Sequence, residues 1–84
     1  MNNNNSLKNK IIYTANYRGT KEMDILLSKF VNKYINELNE SDLMELYKFL
    51  KLEDEVIYKF YNTGNLEIDF ESKKILNLFK NFKF

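Results

Sequence analysis

The sequence predicts an all-α protein, a single small domain of about five short helices. Three observations support this. The chain has 84 residues, which is enough for one domain. Apolar residues recur at the three- and four-residue spacing of amphipathic helices. Residues that favour helix starts, and two glycines that favour breaks, divide this pattern into short segments.

The beginning of the chain predicts a tail followed by a short helix. Residues 1–5 form an Asn-rich tract with nothing to bury, so we expect a disordered tail, and residues 6–84 form the domain. Ser6 is the expected N-cap of a first helix that extends to about Asn16. Gly19 permits positive φ and predicts a tight corner after that helix.

The second and third helices have the clearest signals. Thr20 is placed to cap the second helix, and Asn39 is placed to cap a third helix that ends near Lys51. Each helix has one apolar stripe that we expect to face the core. The stripes consist of Met23, Leu26, Leu27, Phe30, Val31 and Tyr34, then Leu43, Leu46, Tyr47 and Leu50.

The last third of the chain predicts two more helices. An acidic start at Glu53 opens the fourth helix, and Gly64 is placed to end it. Residues 66–70 alternate between apolar and polar, which we interpret as an extended connector because no strand partner is evident. A last helix is expected over residues 70–81, with Ile75, Leu78, Phe79 and Phe82 facing inward.

The composition argues against several function classes. The chain has no Cys and no His, which removes the usual nucleophiles, and its two distant glycines form no phosphate-binding loop. We therefore expect no enzyme, no catalytic or metal site and no cofactor bound independently. All acidic residues lie between Glu22 and Glu71, and the basic ends are too weak a signal for nucleic-acid binding.

No apolar run reaches the length of a membrane span, and the first ten residues resemble neither a secretory signal nor a transit peptide. A cytoplasmic protein, without membrane insertion and monomeric, is the simplest expectation.

Arg18 is the only arginine and lies beside Gly19. If Arg18 and Glu22 are both helical, their spacing predicts a surface ion pair of about 0.2–0.5 kcal/mol. Residues 53–55 are all acidic, which favours helix capping over a cation site. Tyr13, Tyr17 and Tyr58 fall off or at the edge of the inward stripes, which is typical either of interface anchors or of edge-of-core packing.

The segment from Lys10 to Tyr13, the run Tyr17-Arg18-Gly19-Thr20-Lys21-Glu22-Met23-Asp24 and the following Leu and Phe pattern resemble the succinate dehydrogenase assembly factor family. The family pattern is a short helix, an R-G-x-x-E-x-D turn and a long core helix. The resemblance covers about residues 7–64 and reaches the last helix only in character. Thr20 stands where the family usually has Met.

The resemblance implies a chaperone that binds the flavoprotein subunit of succinate dehydrogenase, and in some bacteria fumarate reductase. Such a factor promotes covalent attachment of FAD to a histidine of its partner, so the FAD belongs to the partner. Arg18, Gly19 and Glu22 carry over as the partner-contact motif. Tyr17, Thr20 and Asp24 join them by position, with Asp24 also suited to capping. Together with the first ten residues, which resemble no targeting segment, this leads us to expect a bacterial, cytoplasmic protein.

Two other functions stay open at this stage. Members of the family have also been described as antitoxins, so an interaction module for a small toxin is the alternative. A basic-ended accessory protein for nucleic acids ranks third, and steep salt dependence of DNA or RNA binding would be its signature.

Overall fold

Five α-helices lie within the part of the chain that the structure describes, which confirms the predicted fold class. A computed structural model describes residues 3–66 and 69–83, and it contains no strand in these two ranges. None of the described helices is long and apolar enough to cross a membrane. The helices are α1 (Asn3–Asn16), α2 (Lys21–Tyr34), α3 (Glu40–Leu50), α4 (Asp54–Thr63) and α5 (Lys73–Lys80).

The apolar stripes of the helices meet in one core. Helix α1 packs against α2 and α3, and α5 packs against α3 and α4. Phe79 of α5 is fully buried among the rings of Phe30, Phe49, Phe60 and Tyr61. The predicted stripe of α2 is buried except for Tyr34, which is half-buried. This aromatic centre holds α2, α3, α4 and α5 together.

Side-chain caps fix the starts of three helices. The Thr20 hydroxyl accepts from the Met23 N–H at 3.2 Å, and the Asn39 side chain accepts from the Asp42 N–H at 2.8 Å. Both predicted caps are thus confirmed. Ser72 caps α5 in the same way, accepting from the Ile75 N–H at 3.3 Å. Each cap satisfies one of the N–H groups that a helix start leaves without a partner.

The first helix starts earlier than expected. It begins at Asn3, so Ser6 lies inside it and the predicted N-cap is wrong. Residues 3–5 of the expected tail therefore belong to α1, while residues 1 and 2 lie outside the described residues. Adding one residue to an existing helix costs little compared with nucleating it, so the packing of Ile11 and Ala15 outweighs the modest helix propensity of Asn.

The other differences concern α3 and α5. Phe49 is fully buried although the sequence pattern left it out of the inward stripe of α3. Helix α5 begins at Lys73 rather than at Phe70, because Ser72 supplies the cap. The ring of Phe70 instead packs on Phe49, with centroids 5.8 Å apart. Of the predicted connector, Leu66 packs against the core, whereas Ile68 lies outside the described residues.

Gly64 ends α4 in the left-handed conformation, as the sequence predicts. Its φ is 78° and its N–H donates to the Phe60 carbonyl at 2.8 Å. An added Cβ would lie 3.2 Å from the Lys80 side chain, whose flexible end can move away. The backbone conformation, more than space, is therefore what requires glycine here.

Replacing Gly64 with Ala is expected to lower the free energy of unfolding by about 1–2 kcal/mol, the cost of left-handed backbone for a residue with a Cβ. Urea denaturation followed by circular dichroism measures this loss. Gly64→Asn should lose less, because Asn tolerates this conformation better. Equal stability of the Ala variant and the wild type would contradict the role given to Gly64.

Candidate functional site

The guanidinium of Arg18 occupies the corner between α1 and α2. Its side chain is only 8% exposed. Its Nε donates to Asp54 Oδ1 at 2.8 Å, and its Nη2 lies 2.7 Å from the same oxygen. Nη2 also donates to the Leu52 carbonyl at 2.9 Å, and Nη1 donates to the carbonyls of Leu50 and Thr14. The charge of Arg18 is thus neutralised and its donors are used within the chain.

Asp54 accepts from both residues of the Arg-Gly pair. Its Oδ1 meets Arg18, and its Oδ2 accepts from the Gly19 N–H at 2.9 Å. A Cβ on Gly19 would lie 3.2 Å from that same Oδ2. Asp54 is the first residue of α4, where the helix dipole also favours a negative charge. Gly19 is therefore suited to the close approach of this carboxylate.

Asp24 completes what we call the corner cluster, consisting of Arg18, Gly19, Asp24 and Asp54. Its Oδ1 accepts from the Arg18 N–H at 2.6 Å. Asp24 lies in the first turn of α2, so this bond ties the start of α2 to the preceding corner.

The corner cluster joins the ends of four helices. Thr14 lies in the last turn of α1, and Leu50 and Leu52 lie at the end of α3, where carbonyls lack helical partners. Arg18 fills those acceptors while pairing with the start of α4. Only a planar group with several donors can do this, which explains an arginine in a chain otherwise rich in lysine.

Exposed residues surround the corner cluster and form what we call the corner face. A hollow of about 400 Å³ is lined by Tyr17, Gly19, Glu53 and Glu55 over the buried pair. A smaller hollow of about 170 Å³ continues from it past Glu22. The corner face consists of Tyr17, Gly19, Thr20, Glu22, Glu53, Glu55 and Tyr58, all of them exposed.

The structure changes the interpretation of Arg18. The expected surface pair with Glu22 is wrong, because Arg18 lies between the helices and pairs with Asp54. The resemblance implied that Arg18 belongs to the partner-contact motif, whereas its guanidinium meets carbonyls and a carboxylate of its own chain. Glu22 is exposed, and its carboxylate makes no ion pair or hydrogen bond within the ranges the structure describes.

Gly19 lies in the predicted corner between α1 and α2, but it does not adopt the positive φ that glycine permits. Among residues 3–66 and 69–83, only Gly64 has a positive φ. Gly19 is exposed on the corner face, so a partner can approach its backbone closely. Thr20 is committed to its cap, and Asp24 to the Arg18 N–H.

The sequence did not indicate Asp54 as a member of the site. It was interpreted only as part of an acidic helix start, which its position at the beginning of α4 confirms. Its partner Arg18 lies 36 residues away, and no local pattern encodes such a contact. The available signal was the lone arginine itself, which pointed to a site requiring several donors.

Three tyrosines were predicted to lie off the core or at its edge. Of these, Tyr13 and Tyr17 are 65% and 70% exposed, and the centres of their rings lie 4.5 Å apart. Tyr58 is 39% exposed and lines the smaller hollow. All three are accessible to a partner, and Tyr17 and Tyr58 lie on the corner face.

Curated relatives of the chain include proteins from several yeasts. The chain is 37% identical over 73 residues to "succinate dehydrogenase assembly factor 2, mitochondrial" of Scheffersomyces stipitis, covering 82% of this chain and 49% of the relative. It is 34% identical over 77 residues to the protein of the same name from Saccharomyces cerevisiae (strain YJM789), covering 87% and 48%. The chain thus spans about half the length of these relatives. No solved structure matches it.

These relatives contradict the expected bacterial cytoplasmic location. Their names describe them as mitochondrial, and a third, from Debaryomyces hansenii, is 33% identical over 73 residues and has the same name. The expectation rested on the first ten residues. Because the relatives are about twice as long as the chain, its beginning is no guide to a targeting segment.

A family model covers almost the whole chain. The model described as "Flavinator of succinate dehydrogenase" matches residues 9–83, which include the corner cluster, the corner face and all helices except the first residues of α1. The resemblance noted in the sequence is therefore confirmed beyond the segment that first indicated it. The chain belongs to the flavinator family of succinate dehydrogenase, and its yeast relatives are named for assembly of that enzyme.

Proposed function

We propose that the protein binds the flavoprotein subunit of succinate dehydrogenase and promotes covalent attachment of FAD to that subunit. The family membership supports this proposal, and so does the mitochondrial assembly role in the names of the relatives. In this role the protein is a chaperone rather than an enzyme. The histidine that receives FAD belongs to the partner, since this sequence has no His.

The observation that carries the proposal is the division of the R-G-x-x-E motif into a buried and an exposed part. Arg18 is held by Asp54 and by helix-end carbonyls, whereas Glu22 is exposed and makes no described contact. A free carboxylate presented by a rigid corner is suited to an arginine or to backbone N–H groups of a partner. The buried part fixes the backbone, and the exposed part is available for recognition.

Binding of this kind assists the reaction by orientation. Holding the partner in one conformation brings its histidine and the flavin into contact, which lowers the entropic part of the barrier. The residues of the corner face need only recognise the partner's surface. We therefore assign partner contact to Tyr17, Gly19 and Glu22, and we assign positioning of the corner to Arg18, Thr20 and Asp24.

Replacing Glu22 with Ala is expected to slow FAD attachment by about tenfold or more, as for a central charged contact of an interface. Purified apo-flavoprotein subunit is incubated with FAD, a dicarboxylate and each variant, and protein-bound flavin fluorescence is read in a denaturing gel. The unfolding midpoint should change little, because Glu22 makes no described contact.

The matched control is Glu40→Ala. Glu40 is likewise an exposed carboxylate in the first turn of a helix, but it begins α3, whereas the corner cluster meets the end of α3. Wild-type stimulation that survives Glu22→Ala would remove Glu22 from the contact surface. No stimulation by folded wild type with a competent partner would refute the proposed function.

No observation of the fold or of the relatives favours the antitoxin alternative.

A further inference from the structure

A second surface, on the other side of the exposed tyrosines, differs in charge from the corner face. Between α1 and α3 lies an open groove of about 520 Å³, larger than the hollow over the corner cluster. No carboxylate lines it. We call it the tyrosine groove, and it is lined by Ser6, Asn9, Lys10, Tyr13, Thr14, Tyr47 and Lys51.

The two lysines of the tyrosine groove have no acidic partner among the residues that the structure describes. The Nζ of Lys51 lies 5.2 Å from the centre of the Tyr47 ring, and Lys10 is exposed on α1. Two lysines elsewhere pair with carboxylates, Lys74 with Asp42 at 2.6 Å and Lys48 with Glu45 at 3.3 Å. Two uncommitted cations beside aromatic rings form a surface that complements carboxylates.

The tyrosine groove is continuous with the corner face. Tyr13 lines the groove, Tyr17 lines the corner hollow, and their rings are in contact with an angle of 38° between them. Exposed tyrosines in contact are typical anchors of protein interfaces. A partner that covers Tyr17 therefore reaches the groove by extending past this pair of rings.

The two surfaces carry opposite charge. Glu53 and Glu55 line the corner hollow, whereas Lys10 and Lys51 line the tyrosine groove. Opposite charges on the two sides of the Tyr13–Tyr17 pair fix the orientation of a partner, because reversing the partner would bring like charges together.

The surroundings of the groove suit a carboxylate-bearing peptide better than a phosphate. The lining residues of α1 begin at Ser6, the fourth residue of that helix, and no glycine is among the lining residues, so no glycine loop with free N–H groups faces the groove. Side-chain donors alone are available, as in the recognition of acidic side chains.

We propose that the tyrosine groove binds an acidic segment of the same protein partner that covers the corner face. This inference rests on the proposed function, since it extends the surface through which the flavoprotein subunit is held. Lys10 and Lys51 pair with carboxylates of that segment, and Tyr13 packs against its apolar stem.

The test measures the dissociation constant of the apo-flavoprotein subunit of succinate dehydrogenase at low and at moderate salt. The double variant Lys10→Glu/Lys51→Glu is expected to weaken binding about tenfold or more at low salt, with a shallower dependence on salt concentration. The control Lys29→Glu/Lys83→Glu makes the same change of net charge with exposed lysines outside the groove, and it should stay within about threefold of wild type. Circular dichroism verifies that each variant is folded.

The outcomes separate this inference from the proposed function. If wild type binds and the groove variant binds equally well, or if both double variants weaken binding equally, the groove is not a contact and the proposed function stands. If folded wild type does not bind a competent subunit, the proposed function fails and the groove inference fails with it.

Two further measurements test other occupants of the groove. Saturable quenching of tyrosine fluorescence by FAD or ATP, lost in the groove variant, would assign the groove to a nucleotide and overturn the inference. Concentration-dependent dimers in sedimentation, abolished by the same variant, would assign the groove to a second copy of the chain and also overturn it.

Discussion

Replacing Arg18 with Met is expected to lower the free energy of unfolding by about 3 kcal/mol or more, because it removes one member of a largely buried ion pair. Asp54 would lose its charge partner, and the carbonyls of Leu50 and Leu52 would lose their donors. Met keeps much of the apolar stem, so the loss reports mainly on the guanidinium. Urea denaturation followed by circular dichroism provides the measurement.

Two matched variants make this result specific. Arg18→Lys keeps the positive charge but lacks the fork of donors, so it should recover only part of the loss. Lys21→Met is the control, because it also replaces a cation with Met but at an exposed site three residues away. We expect it to lower the free energy of unfolding by about 0.5 kcal/mol or less. A stable Arg18→Met protein that no longer binds the flavoprotein subunit would instead make Arg18 a direct contact, as the family resemblance implied.

A second variant tests whether Arg18 stabilises the protein mainly through its pairing with Asp54. Asp54→Asn removes the carboxylate that accepts from both Arg18 and the Gly19 N–H. Arg18 and Asp54 share one network, so their effects are not independent. The double variant Arg18→Met/Asp54→Asn should therefore lose less free energy of unfolding than the sum of the two single losses. Additive losses would indicate that Arg18 acts mainly through the carbonyls at the end of α3.

The parts of the fold that the sequence predicted well are those that depend on neighbouring residues. Thr20 and Asn39 bond to N–H groups three residues away, and Gly64 needs only its own backbone conformation. Such features are encoded within one helical turn. The start of α1 was missed because tertiary packing of the helix outweighs the helix propensity of its first residues.

The sequence predicted the corner at Gly19 and a surface position for Glu22, but it did not predict the internal geometry of the corner cluster. The motif placed Gly19 and Glu22 on an accessible corner, and both are exposed. What the motif did not reveal is that Arg18 faces inward to Asp54, because that pairing depends on how α4 packs beside α1 and α2. Contacts between residues far apart in sequence become visible only when the helices are assembled.

The aromatic centre predicts the second large effect. Phe79→Ala is expected to destabilise the protein by about 3–5 kcal/mol, since it leaves a cavity in a closely packed core. Its ring is fully buried, with its centre 4.9 Å from that of Phe30 and 5.1 Å from those of Phe49 and Tyr61. Small domains have about 5–15 kcal/mol of total stability, so this one change removes a large share.

Thermal denaturation measures the effect, since a loss of 1 kcal/mol shifts Tm by roughly 4–8 °C in a domain of this size. Phe70→Ala is the matched control, because Phe70 is half-buried and the centre of its ring lies 5.8 Å from that of Phe49. This variant should lose clearly less free energy of unfolding. Neither residue belongs to the corner face or the tyrosine groove. At a temperature where Phe79→Ala is still folded, it should therefore bind the flavoprotein subunit with wild-type affinity. Weaker binding by the folded variant would mean that packing of α5 also sets the geometry of the corner.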